Sequence, residues 1–454
     1  MPLPLALEET GFPLMLPDAA VPASLMTLLA VFAPLFTAPS FRTFCGLACG
    51  FLAQPGKRTV CGMLSGAGLA RLWPHDRAHS FFSRARWNAG DLGLAAAVLA
   101  VSLLVPAGAP VDVAIDDTLF KRRGKKVWAV SWFHDGSVPG PAKTGYGNNW
   151  VVLGIVVRLP FMSRPVAVPV MAKLVIKGSN SRSRLWLARR MAEQVAAALP
   201  GRRIRVVADS AYAGGELKGL PARISWTTRL RKDAALHGLP PGRTGRPGRP
   251  KVKGDRLPSL AKMAASAQFS QVTVTRYGRT ETVAATVVTC LWYSVFGSLP
   301  VTVVIVRDRP GSGFGIALVT TDRAATAEQV IERYASRWSI EIAIEDSKQV
   351  FGTGQARNRT AAAVERTVPF EIACQAVAVT WYATAGHDPA DLHERRASAP
   401  WYASKAEPAT ADMAARLRRV LIAARFKASR PDQPTPQEMT ILRLAWEDAA
   451  SIAA

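Results

Sequence analysis

Three acidic positions in the chain stand where a carboxylate could hold a divalent cation. Asp116, with Asp117 beside it, closes the alternating run VDVAIDD. Asp209 closes the hydrophobic run RIRVVAD, and Glu341 lies in YASRWSIEIAIEDSK, residues 334–348. Carboxylate oxygens are hard ligands that suit Mg²⁺ or Mn²⁺ rather than zinc. Two such ions bridged by carboxylates can activate a water or a 3′-OH and stabilise the leaving oxygen of an in-line phosphoryl transfer. That chemistry needs no protein nucleophile, and no Ser-His or Cys-His arrangement stands out. No Walker-type glycine loop or GxGxxG follows a strand, so a bound nucleotide cofactor is not implied. Each residue by itself is more often a turn aspartate or one end of a surface ion pair. The argument rests on all three together, in strand, strand and helix settings.

Those settings must place the carboxylates. Residues 334–348 are expected to form one helix, capped near Thr326 and Glu328–Gln329 and stopped at Gly352. On a helix, Tyr334, Arg337, Glu341, Glu345 and Lys348 fall on one stripe, while Trp338, Ile340 and Ile344 lie off it and can anchor the helix. Residues 111–117 read as a strand ending at Asp116–Asp117–Thr118. Asp117 shares a side with Val111, Val113 and Ile115, and Asp116 points the other way; alternation does not say which side is the site. Residues 150–158 and 166–175 read as further strands, 183–199 as an amphipathic helix, and 203–209 and 224–230 as buried strands. Asp209 then stands at a C-terminal strand tip, where open α/β sheets build their sites.

The chain has 454 residues, 49% of them apolar, which is enough for two or three packed domains. Lysine and arginine exceed aspartate and glutamate by 57 to 33, a net charge of +24. Such a surplus points to a polyanion, nucleic acid first and an anionic membrane second. The five cysteines, Cys45, Cys49, Cys61, Cys290 and Cys374, form no CxxC pair and suggest a reducing compartment without disulfides or a zinc knuckle. The uncharged stretches 19–41 and 92–111 are long enough to span a bilayer, but prolines and the strand that follows favour buried core helices.

Residues 1–109 read as helical. The helix from His75 carries Arg77, Arg84 and Arg86, which could face DNA or simply solvent. Residues 231–258 are rich in Gly, Pro and Arg, and Arg246, Arg249, Lys251 and Lys253 are candidates for phosphate contact regardless of base sequence. Residues 269–322 read as β, like an inserted subdomain. Residues 360–383 read as a long apolar helix, and 406–426 and 437–452 as helices of a charged tail.

With these residues in place, the chain resembles the DDE transposases of bacterial insertion sequences, in the subgroup with a Y-R-E-K signature. Tyr334, Arg337, Glu341 and Lys348 match its spacing of two, three and six intervening residues. The signature points to Glu341 over Glu345, and the D-x-T of Asp116–Asp117–Thr118 points to Asp116. The resemblance implies an α/β fold: an RNase H-like core, a mixed sheet flanked by helices and interrupted by a β-rich insertion. A helical N-terminal region and a helical C-terminal tail complete it. The expected divisions are 1–109, 110–230, 231–322, 323–386 and 387–454. Asp116, Asp209 and Glu341 would be catalytic and hold two Mg²⁺ ions, for which Mn²⁺ can substitute. Arg337 and Lys348 would grip phosphate, with Tyr334 on the same strand. The expected partners are double-stranded DNA, as terminal inverted repeats and as target, and a second copy in a homodimer. Placement would be cytoplasmic and nucleoid-associated, with no membrane. Some members flip a base onto a tryptophan, for which Trp292 is a candidate beside its reading as core. The rival expectations are a non-catalytic DNA-binding relative and a membrane-associated protein.

Overall fold

The computed structural model describes residues 21–136, 141, 143–178, 181–242, 250–307 and 314–429, with isolated positions 436, 439, 440 and 443. Five helices come first: α1 (Ala23–Ala30), α2 (Ala38–Ala53), α3 (Val60–Gly66), α4 (His75–Ser83) and α5 (Ala89–Leu104). Thr37, Thr59 and Asn88 cap α2, α3 and α5 by accepting a backbone N–H, which satisfies donors the helix leaves open. No described helix is long and apolar enough to cross a membrane. All five cysteines are free, four of them buried.

Among the described residues, ten strands then build one sheet. They are β1 (Val111–Lys121), β2 (Ser131–His134), β3 (Thr144–Val157), β4 (Val166–Leu174), β5 (Ile204–Ala208) and β6 (Ile224–Arg229), with α6 (Arg184–Ala198) between β4 and β5. After α7 (Leu260–Ser266) come β7 (Ser270–Arg276), β8 (Arg279–Leu291), the short α8 (Tyr293–Phe296), β9 (Pro300–Arg307) and β10 (Ile316–Thr320). Their order is β2-β3-β1-β5-β6-β10-β9-β8-β7, and β4 also pairs with β3. The pairs β1–β5 and β5–β6 are parallel, and the others are antiparallel.

The sheet adds two details. The β-rich segment after residue 231 continues the core sheet: β10 pairs with β6, so β7 to β10 extend it. The 231–258 stretch is also tied down at its base, where His237 bridges both Arg256 and Leu291. In addition, β1 does not stop at Asp116–Asp117. Its far half, Thr118 to Lys121, keeps pairing with β3 after β5 has ended at Ala208, so the strand has a partner on one side only.

The helices cover both faces. On one, Leu185, Ala188 and Val195 of α6 share a core with Val113, Ile115 and Val206. On the other lie α9 (Ala327–Ser336) and α10 (Trp338–Gln349). Val330 and Ile331 of α9 pack on Val304, Val306 and Leu318, and Ile340, Ala343 and Ile344 of α10 on Ala114, Val152 and Val207. The single helix expected over 334–348 is therefore two, joined at Arg337. Ser336 and Ser339 donate their hydroxyls to the carbonyls of Arg333 and Ser336. The backbone there also tightens to three-residue hydrogen bonds, at Arg337 onto Tyr334 and Ile340 onto Arg337. Serine back-bonding and such tightening bend helices. The start is as expected, a capping box of Thr326 and Gln329, and beyond α10 Gly352 takes a positive φ of 63°.

The α10 helix approaches the sheet where β3 has no side chain. A Cβ at Gly154 would stand 2.8 Å from Ile340 Cδ1 and 3.3 Å from the Val168 carbonyl oxygen. Gly154→Val should therefore force α10 off its bed, at a cost of about 1–3 kcal/mol by overpacking. Urea unfolding of the variant beside wild type measures it.

Last come α11 (Ala361–Trp381), α12 (Ala390–Ser398) and α13 (Thr410–Ser429). The expected helix over 437–452 lies almost wholly outside the described residues. Phe44, Phe51, Phe81 and Phe82 of the N-terminal helices surround Phe370 of α11 edge-on, with centroids 5.2 to 6.4 Å away. Edge-to-face rings of this kind add to the area they bury.

Candidate active site

Parallel pairing decides which carboxylates meet. In the β1–β5 register, Ile115 stands opposite Ala208, so the next step sets Asp116 beside Asp209. Both follow the parity of Ala114 and Val207, whose side chains face α10. Asp117 points to the opposite face. There Tyr212 and Asn149 donate to its two oxygens at 3.1 and 3.0 Å, and Arg184 pairs with it at 3.2 Å. The choice between the two aspartates, open on alternation alone, is thus a choice between faces of the sheet, and Asp116 lies on the face of Glu341.

Glu341 sits one turn beyond Arg337, whose Nη1 is 2.6 Å from Glu341 Oε1 and 3.5 Å from Asp116 Oδ2. A single guanidinium nitrogen therefore touches both carboxylates. Arg337 Nε is buried with no partner among the described residues. Its guanidinium also lies 5.8 Å from the Tyr334 ring centroid. Glu345 turns away and accepts from Gln349 at 2.8 Å. Asp209 accepts the Ala211 N–H at 2.7 Å, and its carbonyl accepts the Thr228 hydroxyl at 2.7 Å, which fixes the turn leaving β5.

Burial lifts the Asp116 carboxyl to about 7; the Asp117 N–H and Arg337 oppose the rise, and the charges of Asp117 and Asp209 add to it. A carboxylate crowded by like charges in a low-dielectric setting is what a cation would stabilise. The donor set of Asp116, Asp209 and Glu341 is all carboxylate oxygen and suits a hard divalent ion. Among the described residues, however, no group of three or more acidic, histidine or cysteine side chains is drawn together closely enough to hold one. Arg337 stands between Asp116 and Glu341, so closing the set requires it to release one of them.

The remaining positions are placed as follows. Lys348 extends over Phe120, 5.6 Å from its centroid, near the pair of Lys121 and Asp135. Lys251 is exposed, and Lys253 lies 5.2 Å from the Tyr293 ring centroid. Arg246 and Arg249 lie outside the described residues. Arg77 is partly buried, stacked 3.8 Å from Trp73 and donating to Thr43 Oγ1, while Arg84 and Arg86 are exposed. Trp292 is 7% exposed and packs with the core beside Phe296.

Sequence reasoning missed the set that holds Asp117. Tyr212 follows Asp209 in VVADSAY, and Arg184 opens α6, but no spacing rule joins them to a strand so far upstream. It also missed the support under the turn after α10. There Arg122 donates to the carbonyls of Gly354 and Ala356, and the Gly354 N–H donates to the buried Glu371.

Residues 31–290 match the family described as DDE superfamily endonuclease. The match includes β1 and β5 and ends before α9. No curated protein matches. Among solved structures, the cryo-EM structure of a piggyBac transposase synaptic complex with hairpin DNA is similar at a TM-score of 0.38 and 9% identity. That similarity covers 93% of this chain and 80% of that one.

Proposed function

The chain belongs to the DDE superfamily endonucleases, and from that premise we propose that it is an insertion-sequence transposase of the Y-R-E-K subgroup. It would cut DNA at the terminal inverted repeats of its element and join the freed 3′-OH to a target. One observation carries the reading: the two strand aspartates, Asp116 and Asp209, stand side by side on the face of the sheet that receives the Glu341 helix. The net charge of +24 supports a polyanionic substrate.

Asp116, Asp209 and Glu341 would hold divalent ions, whose chemistry is to activate the attacking oxygen and stabilise the leaving one. The rest falls to the protein's own side chains. Arg337 neutralises the acids and, on releasing one, can turn its fork to a phosphate. Tyr334, near the end of α9, and Lys348, in the last turn of α10, would hold the strand against the acids. Asp117, tied by Tyr212, Asn149 and Arg184, holds β1 in place from behind.

The test is a supercoiled plasmid carrying the inverted repeats that bracket the coding region, incubated with the protein and Mg²⁺ or Mn²⁺. Nicking at the repeat ends, with a free 3′-OH, is expected. Tight binding of the repeats without cleavage in either ion would instead assign a non-catalytic relative. Failure to bind or cut would dismiss the reading altogether.

A further inference from the structure

At the other end of the same strands lies a cavity of about 370 Å³. Its wall includes Arg203, Arg205, Arg223, Arg323 and Arg333, with the carboxylate of Asp322 among them. Arg203 and Arg223 immediately precede β5 and β6, so the cavity opens at the N-terminal ends of strands whose opposite ends lead to the acids. Five residues of β5 separate the two, about 17 Å of strand.

The arginines are more than a solvated rim. Arg205 is pinned to Asp112 through two hydrogen bonds of 2.6 and 2.7 Å. Arg223 donates to the carbonyls of Ala196 and Leu199 at the end of α6. The Arg333 side chain is 4% exposed, with Nη1 paired to Asp322 Oδ2 at 3.0 Å. Burial and the neighbouring Arg205 charge lower its pKa, Asp112 and Asp322 opposing them. Arg203 and Arg323 are exposed, and neither side chain has a hydrogen bond or ion pair among the described residues. Five arginines thus line the cavity with one carboxylate residue, Asp322, while Asp112 pairs with Arg205, and Gln329 in the first turn of α9 lies in the same wall. Positioned guanidiniums with spare donors match phosphate oxygens, which accept from their fork.

We propose that this cavity is a second binding site, for a phosphate group, carried either by the DNA backbone or by a free polyphosphate anion. It does not depend on the acids at the other end of the sheet. As a DNA site it would hold the duplex at a point remote from the cut; as an anion site it would bind a small polyphosphate.

The test pairs the double substitution Arg203→Ala with Arg323→Ala against a charge-matched control, Lys262→Ala with Arg279→Ala; all four residues are exposed. Calorimetry follows sodium pyrophosphate, and fluorescence anisotropy follows a short labelled duplex, both at low salt. The cavity variant should bind at least one of them about tenfold more weakly than the control does. Weakening with duplex assigns a DNA phosphodiester, and weakening with pyrophosphate alone assigns a free anion. Equal binding by both variants in both arms overturns the site. An Asp209→Asn background, in which cleavage fails, should leave the cavity's contribution unchanged, so this result and that of the nuclease assay are read separately.

Discussion

Asp209→Asn and Glu341→Gln are each expected to lower plasmid nicking by about a thousandfold or more, with little change in thermal stability. The reason lies in the geometry. Asp209→Asn keeps a side-chain oxygen for the Ala211 N–H, and it removes a charge from beside Asp116. Glu341→Gln loses an ion pair to Arg337 that is about a third exposed on the Glu341 side, and such pairs are worth roughly 0–1 kcal/mol. Neither change should unfold the protein, so a lost rate reports chemistry. Asp117→Asn supplies the contrast. Its partners Tyr212, Asn149 and Arg184 face away from α10, so it should cost stability and spare most of the rate. Nicking by Asp209→Asn and Glu341→Gln at the wild-type rate would defeat the proposed function. So would loss of nicking in Asp117→Asn alone.

The second large effect concerns Glu371, completely buried in α11 between Arg58 and Arg122. One oxygen accepts the Gly354 N–H at 2.7 Å, and the other has no partner among the described residues. Burial lifts its pKa from 4.5 to about 8, against the pull of Gly354, Arg122 and Arg58. The folded protein therefore keeps a proton there that the unfolded chain gives up above 4.5. Between that value and about 8 the unfolded state binds fewer protons, so stability falls as pH rises through the window and levels off above it. The loss attributable to this one group approaches roughly 5 kcal/mol across the window. Glu371→Gln should remove it. Urea unfolding of both proteins at the two ends of the window gives the difference, in which other titrating groups cancel unless they couple to Glu371. A wild-type curve parallel to that of the variant would show that Glu371 stays ionised in the fold.

Most elements were legible because their periodicity is local. The hydrophobic runs around Val113, Val206 and Trp226 mark strands, and Thr326 with Gln329 marks a helix start. What was not legible depends on pairing between distant segments. That Asp116 rather than Asp117 shares a face with Asp209 and α10 follows from the β1–β5 register and the packing of Ala114 and Val207, which no single run encodes. That residues 270–320 continue the core sheet follows from β10 lying beside β6, a neighbour far back in the chain. The break at Arg337 was hidden because serines are common in helix interiors; here the hydroxyls of Ser336 and Ser339 donate to backbone carbonyls three residues back. The arginine cavity was hidden for a similar reason. Its arginines come from separate loops, a strand and a helix, and in the chain they are scattered among many others.

The joint between α9 and α10 makes the acid site a meeting of two independently seated rods. One rests on Val304, Val306 and Leu318, the other on Ala114, Val152 and Val207. The residue at the elbow, Arg337, is also the one that grips Asp116 and Glu341. The angle between the two rods therefore sets where Arg337 holds Glu341 relative to Asp116.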